Sequence, residues 1–182
     1  MPWRGFATAS PARVFTFTQY VAAVPLYLVR HAKAGSRNDF DGNDIDRPLT
    51  SSGHRQAVDL CKRLTAISPS VLVSSPYQRC IETLEPLAVA LDVPVGVDQR
   101  LAEFGSEHVQ ANTELFDLLY GVADRAVLCS HGDVIPAIVN GLAAAGMRVI
   151  GAPQWGKGSV WVLERSNNRF VEAHAWPPPS DD

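Results

Sequence analysis

The chain switches repeatedly between short apolar runs and longer stretches with helical spacing. PLYLVR (25–30) is apolar and rich in β-formers, and it predicts a buried strand. SVLVSS (70–75), VPVGV (93–97) and RAVLCS (125–130) predict three more. Between them, TSSGHRQAVDLCKRLTAI (50–67) puts Ala57, Val58, Leu60, Cys61, Leu64 and Ile67 on a helical period, with Thr50 or Ser51 as cap. PYQRCIETLEPLAVAL (76–91) predicts a helix with Pro76 in its first turn and a kink at Pro86. NTELFDLLYGV (112–122), capped by Asn112, and DVIPAIVNGLAAAG (133–146) predict two further helices. SVWVLER (159–165) and RFVEAHAW (169–176) flank SNN and predict a hairpin.

Strands alternating with helices imply an α/β fold. The expected form is a three-layer sandwich, a mostly parallel sheet with helices on both faces. The final hairpin is expected to add antiparallel edge strands. There is no internal repeat and no second regime of composition. One domain is therefore expected over 24–176, after a flexible arm at 1–23 and before a disordered tail at 177–182, where prolines oppose both helix and sheet. The polar loop SRNDFDGNDIDRPLTSSG (36–53) is long enough to suggest a functional reason.

Composition narrows the partners. The chain has 182 residues, 46% apolar and 19% charged, as expected of a soluble globular protein. Its net charge of -3 gives no basic footprint for nucleic acid, so an anion must be held by a local cluster. The longest apolar run, Tyr20 to Val29, is interrupted by Pro25 and is too short to span a membrane. Near the start, VAA before Val24 faintly resembles a signal-peptide cleavage site. Thr16, Thr18 and Gln19 break the apolar region that such a peptide needs, and a loose arm is the better reading. Cys61, Cys80 and Cys129 are an odd, widely spaced set without CxxC, as in reduced thiols of a cytoplasmic protein. Asp39, Asp41, Asp44 and Asp46 lack the spacing of a calcium loop.

In a parallel sheet, ligands bind beyond the carboxyl ends of the strands. Three predicted strands end in RH (30–31), SSPYQR (74–79) and SHGD (130–133), on one common edge. That edge gathers Arg30, His31, Arg79 and His131. Two guanidinium forks suit a phosphoryl or carboxylate group. Two imidazoles can serve as nucleophile, base or donor near neutral pH. Helix starts near Pro76 and Gly132 also favour anions. Phosphoryl chemistry fits this set, although the residues alone do not say which histidine attacks.

LVRHAKAG, SSPYQRCIET and CSHGDV, with DRPLTSSGHRQA (46–57), resemble the motifs of the histidine phosphatase superfamily, which has the phosphoglycerate-mutase-like fold. The nearest likeness is to SixA-type phosphohistidine phosphatases and to the histidine-phosphatase domain joined to some Nudix (MutT-type) hydrolases. No Nudix box is present. The resemblance covers roughly residues 24 to 165. It implies that His31 attacks phosphorus and that Arg30, Arg79 and His131 hold the phosphoryl oxygens, with no metal or other cofactor. It also implies an acid after the third strand. Glu103 stands there, with Glu107 as a rival, and phosphohistidine hydrolysis can do without one. Ser36, Arg37 and Gly132 are the expected further substrate contacts, and Lys33 and Arg37 either line the entrance or belong to a solvated loop. His54, His108 and His174 read as structural or exposed, and Cys80 as a buried helix thiol.

The expected partner is a phosphorylated small molecule, a nucleotide or a phosphohistidine protein. A mutase and a binding module without turnover are the alternatives. The short interval between Arg79 and His131 leaves little room for a mutase lid, and all four central residues are present.

Overall fold

The computed structural model describes residues 24–104 and 113–180. Seven strands and four helices are seen among these residues. Strands β1 (Val24–Arg30), β2 (Leu72–Ser74), β3 (Val95–Val97), β4 (Val127–Ser130), β5 (Arg148–Ile150), β6 (Val160–Ser166) and β7 (Arg169–Trp176) form one sheet in the order β3-β2-β4-β1-β6-β7-β5. Helices are α1 (Ser51–Thr65), α2 (Gln78–Leu91), α3 (Thr113–Gly121) and α4 (Val134–Ala144).

The sheet divides its side chains by the two-residue strand period. In β1, Leu26 and Leu28 point into a core shared with Leu115 and Leu119 of α3 and Ile135 and Ile138 of α4. Tyr27 and Val29 point the other way, onto Leu60 and Leu64 of α1 and Leu84 and Leu87 of α2. This is the expected three-layer α/β sandwich. Each fully buried Leu contributes about 1.5–3 kcal/mol of burial free energy.

β1 pairs parallel with β4, and β2 pairs parallel with β4 and β3. The register sets Arg30 beside Ser130 and Ser74 beside Cys129, which brings three strand ends to one edge. The hairpin is placed differently from the expectation. β6 is antiparallel to β1 and lies inside the sheet, because its buried Val160, Trp161, Val162 and Leu163 need cover on both faces. The edge next to β7 is taken by β5, a strand that the sequence reading missed. Its residues are all exposed, so no apolar alternation marks it.

Helix α2 begins at Gln78 with Tyr77 at the cap position, so Pro76 precedes the first turn. Pro86 lies within the helix, which continues to Leu91. Thr50 caps α1 by accepting a hydrogen bond from Gly53 N–H. The expected Asn112 cap, Glu107 and His108 fall outside the described residues, as does the arm at 1–23. At the other end, Pro177 O accepts a bond of 2.8 Å from Arg63. No described helix is long and apolar enough to cross a membrane.

Candidate active site

The loop after β1 is fixed by both neighbouring helices. Ala32 N–H donates to Thr83 Oγ1 at 2.9 Å, and that hydroxyl donates to Arg79 O at 2.6 Å. Lys33 O accepts from Thr50 N at 2.9 Å. α1 can come this close only through Gly53, where a Cβ would fall 2.0 Å from Lys33 O. The residues of PLTSSG and SPYQRCIET therefore clamp the segment that carries His31.

His31 is buried, at 4% exposure. Its Nδ1 lies 2.8 Å from Ala32 O. A carbonyl only accepts, so Nδ1 carries the proton and Nε2 keeps its lone pair. Burial pushes the imidazole pKa down to about 3, and His131, Arg79 and Arg30 push the same way against that carbonyl bond. His31 is thus neutral across the physiological range.

The cations around it are held from behind. Arg79, at 0% exposure, donates to Asp44 O at 2.9 Å and to Glu103 Oε1 at 2.7 Å. Its guanidinium stacks over Tyr77, 4.3 Å from the ring centre. Arg30 donates to Trp155 O. Gly132 passes beneath Arg30 so closely that a Cβ there would lie 2.6 Å from the guanidinium carbon. Among the described residues, Arg30 Nε and Arg79 Nε are buried donors without a hydrogen-bond partner. Such donors suit an anionic ligand.

His131 is fully buried, with its ring centre 5.4 Å from that of His31. Ser75 Oγ lies 2.7 Å from Nε2, and Glu103 Oε1 lies 3.2 Å from Nδ1. Burial opposes its positive charge, but hydrogen bonds to Cys80 and Glu103 outweigh burial and raise the pKa. Cys80 is a buried helix thiol, 3.5 Å from His131 Nε2.

Glu103 comes to the site from the turn after β3. The His131 hydrogen bond holds its carboxyl well below the usual range, against burial and with help from Arg79. Arg37 reaches Glu103 Oε2 at 2.5 Å and Asp44 Oδ2 at 2.9 Å. A cleft of about 460 Å³ is lined by Arg30, His31, Arg37, Glu103, Phe104, Gly132 and Asp133.

Thus Arg30, His31, Arg79, His131, Glu103, Arg37 and Gly132 come together. Ser36 is exposed, and its hydroxyl accepts from Asn38 N–H instead of lining the cleft. Two residues that the sequence reading did not place at the site are Ser75 and Asp44. Asp44 binds Arg37, Arg47 and Arg79, and Arg47 and Arg37 bring its carboxyl to about 2 against the effect of burial. Its only mark in the sequence is its place two residues before DRPL.

Donor atoms of His31, Glu103 and His131 lie within 4.8 Å of one another, a set that could ligate a metal. The guanidiniums of Arg79 and Arg30 act on the same imidazole and disfavour positive charge there, so the centre suits an anion better than a cation.

Sequence comparison agrees with this geometry. The profile of the histidine phosphatase superfamily (branch 1) matches residues 26–117, and the chain belongs to that superfamily. It is 32% identical to an 8-oxo-(d)GTP phosphatase of Mycolicibacterium smegmatis, over 85% of this chain and 48% of that protein. The chain therefore spans about half the length of this curated relative. Among solved structures, a candidate phosphohistidine phosphatase SixA from Nakamurella multipartitia is 26% identical, with a TM-score of 0.65 over 87% of this chain and 98% of that one. The protein histidine phosphatase SixA complexed with tungstate has the same fold, with a TM-score of 0.62 and 20% identity over 86% and 97% of the two chains.

Proposed function

We propose that the chain is a phosphatase that hydrolyses a phosphate ester or phosphohistidine through a phosphohistidine intermediate on His31. The observation that carries this reading is the His31 tautomer. The bond to Ala32 O assigns the proton to Nδ1 and leaves the lone pair on Nε2, in an imidazole on which His131, Arg79 and Arg30 act. In the first step, the Nε2 lone pair forms a P–N bond while the bond from phosphorus to the leaving group breaks, P–O in an ester and P–N in a phosphohistidine substrate. The departing oxygen or imidazole nitrogen takes the electron pair. Arg30, Arg79 and His131 stabilise the charge that develops on the remaining phosphoryl oxygens. In the second step, water attacks phosphorus, the P–N pair returns to Nε2, and the water proton passes to a base, with inorganic phosphate as product. Nothing in this sequence of bonds calls for a metal.

Glu103 is the candidate for both proton transfers. In the free site it is ionised. A bound phosphoryl dianion would compete for Arg79 and His131 and raise the carboxyl pKa by repulsion, which allows it to carry a proton in the complex. The substrate class is a phosphorylated small molecule, a nucleotide or a phosphohistidine protein. The named activity of the mycobacterial relative favours trying nucleotides first. A cytoplasmic location fits the three free thiols.

The test is turnover of p-nitrophenyl phosphate in the presence of EDTA. Steady release of p-nitrophenol by the wild type, lost in His31→Ala, supports the reading. Phosphate binding with no turnover would make the chain a binding module.

A further inference from the structure

Two side-chain ties bracket the contact between Glu103 and His131. Ser130, at 0% exposure, donates its hydroxyl to Leu101 O at 2.7 Å. Further along both segments, Phe104 N–H donates to Asp133 Oδ2 at 2.8 Å. Between these ties, Glu103 Oε1 meets His131 Nδ1 at 3.2 Å and Arg79 Nη2 at 2.7 Å. His131 sits at the end of β4, on firm backbone. Glu103 does not. The chain leaves a short 3-10 turn at Leu101, Ala102 is extended, and Glu103 and Phe104 belong to no helix or strand. Side-chain bonds therefore do for Glu103 what regular structure does for His131.

Asp133 spends both carboxylate oxygens on the main chain. Its Oδ1 accepts from Val134 N–H at 2.9 Å and caps α4, while its Oδ2 takes Phe104 N–H. Capping needs only one oxygen, and Ser, Thr or Asn supplies it without a charge. Asp133 lines the same cleft as His31 and Arg30. A negative charge beside a pocket for an anion opposes the ligand by repulsion. The second bond, across the cleft to the residue after Glu103, gives a reason for the carboxylate.

We propose that Asp133 and Ser130 are positioning residues that hold Glu103 against His131 and Arg79. The inference rests on the phosphatase reading above and adds what keeps its proton carrier in place. A proton carrier must stay within hydrogen-bond reach of the reacting atoms. A misplacement of about 1 Å can cost about 10²-fold in rate. Both residues act through Glu103, so neither has an effect of its own once the Glu103 carboxylate is gone.

The experiment is a double-mutant cycle in the full chain, with Asp133→Ser and Ser130→Ala each made alone and together with Glu103→Gln. Serine still caps α4 but is too short to hold Phe104 as well. Asp133→Ser should lower kcat/KM for an alkyl phosphate by about tenfold or more, and should rank substrates as Glu103→Gln does. Added to Glu103→Gln, it should lower kcat/KM no further. Losses that multiply in the double variant, or a different ranking of substrates, would leave Asp133 only a cap and overturn the brace. Ser130→Ala leaves the cap intact and should follow the same pattern, so it carries the test if Asp133→Ser does not fold. Calorimetric titration with inorganic phosphate gives a readout without turnover. Ser130→Ala changes no charge, yet by loosening Glu103 from Arg79 it should tighten phosphate about threefold, and not at all in the Glu103→Gln background. Unchanged affinity in Ser130→Ala, or equal tightening in both backgrounds, would contradict the brace. Turnover of p-nitrophenyl phosphate by the wild type reports separately on the phosphatase reading. Its absence removes that reading and leaves the titration to decide the brace, while turnover with multiplying losses removes the brace alone.

Discussion

One oxygen of Glu103 lies 2.7 Å from Arg79 Nη2, where a buried guanidinium that we assign to phosphoryl binding already holds a carboxylate. The substrate and Glu103 therefore compete for one donor. Replacing the charge should relieve that competition. Glu103→Gln is expected to bind vanadate or inorganic phosphate about tenfold more tightly, since a charge a few ångströms away in a protein environment is worth more than the 1.4 kcal/mol that tenfold requires. Unchanged inhibition constants would show that Glu103 does not oppose the anion.

The same variant separates roles by leaving group. A general acid matters most when the leaving group is poor, by about 10²–10⁴-fold. Glu103→Gln should slow an alkyl phosphate strongly, a phosphohistidine peptide modestly and p-nitrophenyl phosphate least. Equal slowing of all three, measured as kcat/KM, would make Glu103 a positioning group.

Arg30 and Arg79 are expected to act on binding and on the transition state together. Either one changed to Ala should lower kcat/KM by about a hundredfold or more, because each 1.4 kcal/mol is tenfold and a charged hydrogen bond is worth roughly 1.5–3 kcal/mol. Vanadate inhibition should weaken in both variants. Unchanged vanadate affinity in Arg79→Ala would place that residue outside the pocket.

The His31 pKa of about 3 gives a stability signature. An unfolded histidine titrates near 6.5, so below that pH the unfolded chain binds a proton that folded His31 refuses. Stability from this group is therefore lost as pH falls from about 6.5 towards 3, by about 2 kcal/mol at pH 5. His31→Asn should lose less stability than the wild type between pH 7 and pH 5, as read by denaturant midpoints. Parallel losses in both proteins would mean that His31 titrates normally.

Much of this site was legible before the fold was known. Arg30, His31, Arg79 and His131 each end or follow an apolar run, and parallel pairing of β1, β2 and β4 brings such ends to one edge. Asp44 was not legible, because its role depends on how the loop after His31 folds back onto Arg79, and loop geometry has no period to read. The turn that puts Ser36 Oγ against Asn38 N–H was not legible for the same reason. β5 escaped because its three residues are exposed and its pairing with β7 is long-range. β6 was expected at an edge, yet its four consecutive buried residues are the mark of an interior strand.

If His31 donates the electron pair to phosphorus, a phosphohistidine forms at that residue, and trapping it is the most direct test. Wild-type protein mixed rapidly with p-nitrophenyl phosphate and quenched in alkali, which preserves phosphohistidine, should carry one phosphate, and peptide mass spectrometry should place it on His31. No phosphate should be trapped in His31→Ala. Phosphate found on His131 instead, or undiminished trapping in His31→Ala, would contradict the account.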